Sequence, residues 1–546
     1  MKSVRKNNVF TTRTCFPCAI IVLALAFCAG ASDYDIVISS GLIYDGSFSP
    51  ACVADIGIKA DSITAIGNLD PADARRVIDA NGLIVSPGFI DIHTHATFSQ
   101  AQIPPDEAAD IQTLDVRRSA KNYLFQGVTT VVSGNCGDGP YQITSVFRDV
   151  TKDGAGVNLM LLVGHNTIRE AVMGMANAVP TKAQMAKMKK LLRRAMKQGA
   201  VGMSTGLYYV PGNYAKTREI IELAKVVAEY NGIYATHMRD EGVGLIDAIE
   251  EAIEIGRQAN VPVQISHLKV FGRHAPGVPQ QATALIEAAH KEGIIVYADQ
   301  YPYLAGSTTL APLVLKQWVR ADGPEVMLQR LDDPSLSAKI KSESTELIHQ
   351  LGGPDAFVIA YFKERSDWHG KTLSQISQIM NTNTTDTALQ ILHIGNPQMV
   401  IFAMTEEDLR YFMSKPYVMT ASDSWNPPYL AGLYHPRNYG TFGRKIKRYV
   451  LDENLITMQQ AIRAATSLPA QMLNLNKRGQ IKKGFVADII AFDPKRISDL
   501  ATYEKPHQYC TGIEYVLVNG ILAIDNARYT GVLAGKALRI RRSGLR

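Results

Sequence analysis

Two histidines two residues apart, His93 and His95, close an apolar run that begins at Leu83 and passes through Pro87 and Gly88. The run reads as one buried β-strand. Side chains of a strand alternate between faces, so Asp91, His93 and His95 share one face. Two imidazoles at that spacing on rigid backbone can reach one metal ion. Taken alone, the pair is equally compatible with ordinary polar side chains at a strand end. Four more metal-capable side chains close other apolar runs: Cys136, His237, His267 and Asp423. Imidazole and thiolate suit zinc and do not suit magnesium or calcium. Six donors exceed one tetrahedral shell. Either two metals share Cys136 as a bridge, or one site is full and the other weak. The tight zinc is expected at Cys136, His237 and His267, where the thiolate adds a full charge. His93, His95 and Asp423 then form the weaker position.

The elements that must position these donors are eight apolar runs alternating with amphipathic stretches. After the Leu83 run come Gly127 to Cys136, Asn158 to Gly164, Ala200 to Ser204, Gly232 to His237, Pro262 to His267, Ile294 to Asp299 and Tyr417 to Asp423. Helices fit between them, for example Thr181 to Gln198 and Thr217 to Tyr230. This is the pattern of parallel βα units. No glycine-rich phosphate loop follows the first run, so an α/β fold of the (β/α)8 barrel type is expected over an open doubly wound sheet. In a barrel, the C-terminal strand ends converge on one face. Six donors on five of eight strand ends are hard to ascribe to packing.

The barrel is expected over residues 86–474, with a mostly helical insertion at about 305–415. Thr372 with Gln375 reads there as a capping box and Thr405 as an N-cap. Such an insertion serves either as a lid or as a packing module. Short alternating strands fill 32–85 and return in 475–546, which predicts one small β-sandwich assembled from both ends of the chain. Cys52 and Cys510 then share that domain, and a disulfide between them is a hypothesis.

The chain has 546 residues and an ordinary globular composition. Residues 1–31 stand apart. Lys2, Arg5, Lys6 and Arg13 precede an apolar stretch from Ala19 to Phe27 and a small-x-small site at Ala29-Gly30-Ala31. This is the composition of a cleaved signal peptide, and it predicts export to the periplasm or medium. A lipid anchor on Cys28 is disfavoured by the bulky Phe27. Four of the net +6 charges lie in this leader, which has no acid, so the remainder carries +2. That balance argues for no nucleic-acid partner, and no stable membrane partner is expected. The basic cluster Lys536, Arg539, Arg541, Arg542 and Arg546 reads as a solvated tail.

Pro87-Gly88-Phe89-Ile90-Asp91-Ile92-His93-Thr94-His95, with the later His, His and Asp at strand ends, resembles the amidohydrolase superfamily. Gly134-Asn135-Cys136-Gly137, His237-Met238-Arg239-Asp240-Glu241, Ser266-His267-Leu268-Lys269, Tyr301-Pro302-Tyr303 and His435-Pro436-Arg437-Asn438 are similar to the D-aminoacylase (N-acyl-D-amino-acid deacylase) family. The match runs from about Asp35 to about Gly520. The resemblance implies zinc-dependent hydrolysis of the amide of an N-acyl-D-amino acid, a small-molecule substrate, to a carboxylate and a free D-amino acid. By resemblance Cys136, His237 and His267 hold the tight zinc, and His93 and His95 the second position. Asp423 becomes the general base, and Lys269, Tyr301, Ser307 and Arg437 hold the substrate carboxylate. His435 supports the loop; His165, His393 and Asp91 are expected in ordinary packing. The rival on the same barrel is a cyclic-amide hydrolase of the hydantoinase or dihydropyrimidinase type, which ordinarily bridges its metals with a carboxylated lysine where this chain has Cys136. A non-catalytic scaffold predicts missing ligands, and none is missing.

Overall fold

The computed structural model describes residues 32–102, 111–427 and 432–539. The leader, Cys28 and the terminal Arg541, Arg542 and Arg546 lie outside the described residues.

The eight runs fold into parallel strands in chain order: β1 (Phe89–Thr94), β2 (Val128–Ser133), β3 (Asn158–Gly164), β4 (Gly202–Gly206), β5 (Ile233–His237), β6 (Val263–Ile265), β7 (Val296–Gln300) and β8 (Val418–Thr420). Each pairs with the next. The barrel closes just beyond β1 and β8, where a parallel bridge joins Thr94 to Ser424. The Asp423 N–H donates to the His93 carbonyl at 2.9 Å, and the His95 N–H to that of Ser424 at 2.8 Å. Barrel closure therefore brings the first and last candidate ligands side by side.

The Leu83 run is not one strand. Ile84–Pro87 belongs to the terminal sheet, antiparallel to Ile489–Phe492, and the chain crosses into the barrel at Gly88. A Cβ on Gly88 would lie 2.3 Å from the Thr129 side chain, so only glycine passes there. Both pieces are fully buried, which is why apolarity alone did not reveal the crossing.

Both ends of the chain contribute to one nine-stranded sheet. It branches at the strand Tyr34–Ile43, which pairs with Cys52–Lys59, Ala74–Asp79 and Ile84–Pro87 and is bulged between Ile38 and Gly41. Ile38, Ile56, Ile58, Val85, Ile489 and Leu517 pack in its core. The Cys52–Cys510 disulfide is absent: both thiols are free. Cys52 is exposed at the start of its strand, whereas Cys510 is buried and donates to the Tyr439 carbonyl at 3.1 Å. Cys510 leads into the sheet but packs on the barrel side, against Gly443. The described part of the basic C-terminus is no free tail either. The Leu159 N–H donates to the Lys536 carbonyl and the Leu538 N–H to that of Leu159, so this segment pairs beside β3. Charge reported on its side chains and missed its backbone.

Between β7 and β8 the insertion is helical, as expected, with both anticipated N-caps formed at Thr372 and Thr405. It also holds a three-stranded antiparallel sheet of Gly306–Thr309, Gln398–Ile401 and Phe357–Tyr361 that the helical reading did not contain. Phe357, Ile359, Trp368, Ile391 and Met399 give it a core of its own. Among the described residues, no helix is long and apolar enough to cross a membrane.

Candidate active site and metal centre

At the C-terminal ends of the strands lies a cavity of about 820 Å³, lined by His95, Cys136, His237, His267, Asp423 and Arg437 among others. Cys136 reaches it from a sharp turn after β2. Gly134 and Gly137 there have φ near +88°, and a Cβ on Gly137 would meet Asn166 Oδ1 at 2.4 Å. Asn135 ties the turn down by donating to the Val132 carbonyl at 3.0 Å. Cys136, His267 and Asp423 themselves have φ of +54°, +37° and +50°. Such backbone is costly for side-chain-bearing residues and gathers at functional sites.

Two donor groups converge around Cys136. One is Cys136, His237 and His267; the other is His93, His95, Cys136 and Asp423, with ligand atoms in each group within 4.8 Å of one another. In the first, His267 Nε2 lies 2.9 Å from His237 Nδ1 and 3.8 Å from Cys136 Sγ. In the second, Asp423 Oδ1 lies 3.3 Å from His93 Nε2 and 3.1 Å from His95 Nε2, and Cys136 Sγ is 3.4 Å from His93 Nε2. Burial would raise the Cys136 thiol, but facing His93, His237 and His267 hold it well below its usual range, toward the thiolate that zinc requires. Thiolate and imidazole donors in two groups with one shared member fit zinc.

Asp423 is 6% exposed. Burial pushes its carboxyl up, yet Arg437 and His93 outweigh this and hold it well below the usual carboxylate range. Arg437 is buried with its Nη1 2.8 Å from Asp423 Oδ2 and its guanidinium over the Tyr301 ring at 4.7 Å. Neither Nη1 nor Nε has an aligned hydrogen-bond acceptor. Nη1 is held by that ion pair, but Nε is unspent, and a buried guanidinium with a free N–H at a cavity wall can receive an anion. His435 holds the Arg437 loop: its Nδ1 accepts from the Arg437 N–H at 3.0 Å, and its Nε2 lies 2.9 Å from the Ala305 carbonyl. Lys269 and Ser307 also line the cavity but are engaged, Lys269 Nζ on Glu241 at 2.7 Å and the Ser307 hydroxyl on the Met399 carbonyl at 2.8 Å.

The pattern of the amidohydrolase family matches residues 76–300 and 413–523, omitting most of the insertion. The chain belongs to the amidohydrolase family. It is 34% identical to the D-aminoacylase of Alcaligenes xylosoxydans xylosoxydans over 92% of this chain and 97% of that relative. A crystal structure of N-acyl-D-glutamate deacylase from Bordetella bronchiseptica superposes with a TM-score of 0.78 at 30% identity, covering 93% of this chain and all of that one. That structure holds zinc and a phosphonate inhibitor that mimics the tetrahedral intermediate. A D-aminoacylase structure, described for one-metal activation and second-metal attenuation of its binuclear centre, has the same TM-score at 32% identity and the same coverage. This amidohydrolase is a metal-dependent enzyme of the D-aminoacylase branch.

Two buried acids of the site were missed from sequence. Glu241 sits 2.8 Å from His267 Nδ1 as well as on Lys269; His267 and Lys269 overcome its burial and hold its carboxyl low. Asp299 accepts from the His267 N–H at 2.7 Å and from Gln264 at 2.6 Å, and faces His93 Nδ1 at 3.2 Å. Carboxylates behind metal-ligating histidines fix the ring and raise its basicity. The available signals were an acid four residues after His237 and another ending the seventh strand. Other candidates stay outside the site. Asp91 accepts from the Ser422 N–H at 3.0 Å and from its hydroxyl. His165 pairs with Glu219 at 3.0 Å, and His393 lies 3.7 Å from Asp332 in the insertion.

Proposed function

We propose that this amidohydrolase is a zinc-dependent N-acyl-D-amino-acid deacylase, cleaving a linear amide to a carboxylic acid and a free D-amino acid. One observation carries the reading: a single cavity holds the thiolate–imidazole donor set, the ionised Asp423 and the buried Arg437 with its unspent Nε. Bound at the donors, zinc supplies Lewis acidity, acidifying a water and polarising the amide carbonyl. Asp423 accepts the proton of the attacking water and passes it to the departing amine, acting first as base and then as acid. Arg437, backed by Tyr301, takes the substrate carboxylate. Lys269 and Ser307 join it by exchanging their present partners. With the carboxylate held at one end and the carbonyl at the other, one hand of the α-carbon directs its side chain into the cavity. The D hand rests on the D-amino-acid substrates in the relatives' names.

The tight zinc is assigned to Cys136, His237 and His267 and a weaker second position to His93 and His95 with Asp423. The extra charge of the thiolate supports that order, and the relative described for one-metal activation and second-metal attenuation supports two unequal metal positions without saying which residues hold each. Export after cleavage near Ala31 is proposed from the leader's composition.

The test is a panel of N-acetyl-D-amino acids, their L enantiomers and a hydantoin, with a metal count on the same protein. Turnover of D substrates alone, with zinc bound, is expected. Comparable L turnover, or hydantoin opening, would overturn the reading.

A further inference from the structure

A second cavity, of about 310 Å³, shares no lining residue with the active site. It opens on the face of β8 that carries Val418 and Thr420. Its other walls are the end of the helix Glu406–Met413, the π-helix Lys445–Asp452 and the helix Met458–Ala465. That volume sits at the lower end of the roughly 300–1,000 Å³ usual for small-molecule sites. Its chemistry is one-sided. Among the described residues lining it are three cations, Lys415, Lys445 and Arg463, and no acid, with Met413, Val418 and Ile456 as apolar wall.

Lys445 is the unusual member. It is 3% exposed, and its Nζ donates to Thr420 Oγ1 at 2.8 Å. An ammonium has three donors, and no other hydrogen bond or ion pair of this one is found among the described residues. Burial without a compensating acid pushes the amine down to about 7. Lys415 has its counter-ion outside, in Glu287 at 3.1 Å. Arg463 gives Nη1 to the Pro416 carbonyl at 3.0 Å and has no ion-pair partner among the described residues. Lysines are seldom buried unpaired, because desolvating the charge is expensive. Lys445 also opens a π-helical stretch, a form that is rare and often found at functional sites.

We propose that this cavity binds a monocarboxylate with an apolar tail, of the class of short- and medium-chain carboxylic acids. The carboxylate meets Lys445 and Arg463, and the tail lies against Met413, Val418 and Ile456. Such a ligand supplies the missing negative charge and covers apolar wall that a bare inorganic anion leaves wet. The proposal is independent of the reaction assigned to the barrel mouth.

The experiment is a footprint of lysine reactivity on the whole enzyme, with octanoate as probe. The protein is treated with a limiting dose of an amine-acylating reagent, and modification of Lys445 is read by peptide mass spectrometry. Octanoate should slow modification of Lys445 saturably, at least fivefold, while octanol and inorganic phosphate leave it unchanged. Arg463→Gln, a change at a partly exposed side chain, should weaken that protection at least fivefold while Lys445 still reacts. Absence of protection at saturating octanoate, or equal protection by octanol or phosphate, would overturn the proposal. Full protection in Arg463→Gln would refute the two-cation site.

Discussion

The two halves of the donor cluster share Cys136 but are supported in different ways. His237 and His267 stand opposite the thiolate, and His267 is backed by Glu241 and Lys269, neither of which is a donor. On the other side, the carboxylate that completes the group with His93 and His95 is also the counter-ion of Arg437. On the proposed roles, one half does nothing but hold a metal. The other would divide Asp423 between metal, proton transfer and the cation proposed to receive substrate. In the proposed mechanism Asp423 must take up and release a proton, and that demand accounts for the asymmetry.

The largest effect should come from breaking the divided half. Asp423→Asn should lower kcat by about 10²–10⁴-fold, the usual worth of a positioned acid–base group, with zinc content unchanged. Near-normal turnover would remove Asp423 as the base. Next comes Arg437→Met. Truncating one member of a buried charge pair costs roughly 2–5 kcal/mol, about thirtyfold or more, and it should appear mainly in KM for substrates with a free carboxylate. A substrate capped as its amide should lose little, and equal losses on both would contradict the assigned role. In the committed half, Glu241→Gln should weaken zinc retention against a chelator by about 10–100-fold. Asp299→Asn touches His93 and the His267 backbone together, so it should loosen both metal positions, and an effect confined to one would sharpen the comparison. The smallest effect is expected from Cys52→Ser, which should leave the melting temperature unchanged because no disulfide is lost.

Much of the barrel was legible because each strand is a short apolar run, five of the eight runs end in a metal-capable residue, and strand ends of a barrel must converge. What escaped was structure that leaves the composition unchanged. The crossing at Gly88 keeps both flanks buried, so one apolar run hides two strands. The three-stranded sheet of the insertion joins segments about forty to ninety residues apart, a pairing that local periodicity cannot report. The supposed disulfide failed for a related reason. Cys510 precedes its strand, so sharing a domain did not place it near Cys52. At the site, the metal-capable residues stood out by type, whereas Glu241 and Asp299 are ordinary acids until the fold buries them behind histidines.

The central claim is that Cys136, His237 and His267 hold the zinc the enzyme keeps, while His93 and His95 serve a weaker position. Zinc per chain, measured by mass spectrometry after exhaustive dialysis of wild type, Cys136→Ala and His95→Gln, tests it most directly. The account predicts that His95→Gln retains zinc close to the wild-type level and Cys136→Ala loses it. Retention in Cys136→Ala with loss in His95→Gln would contradict it.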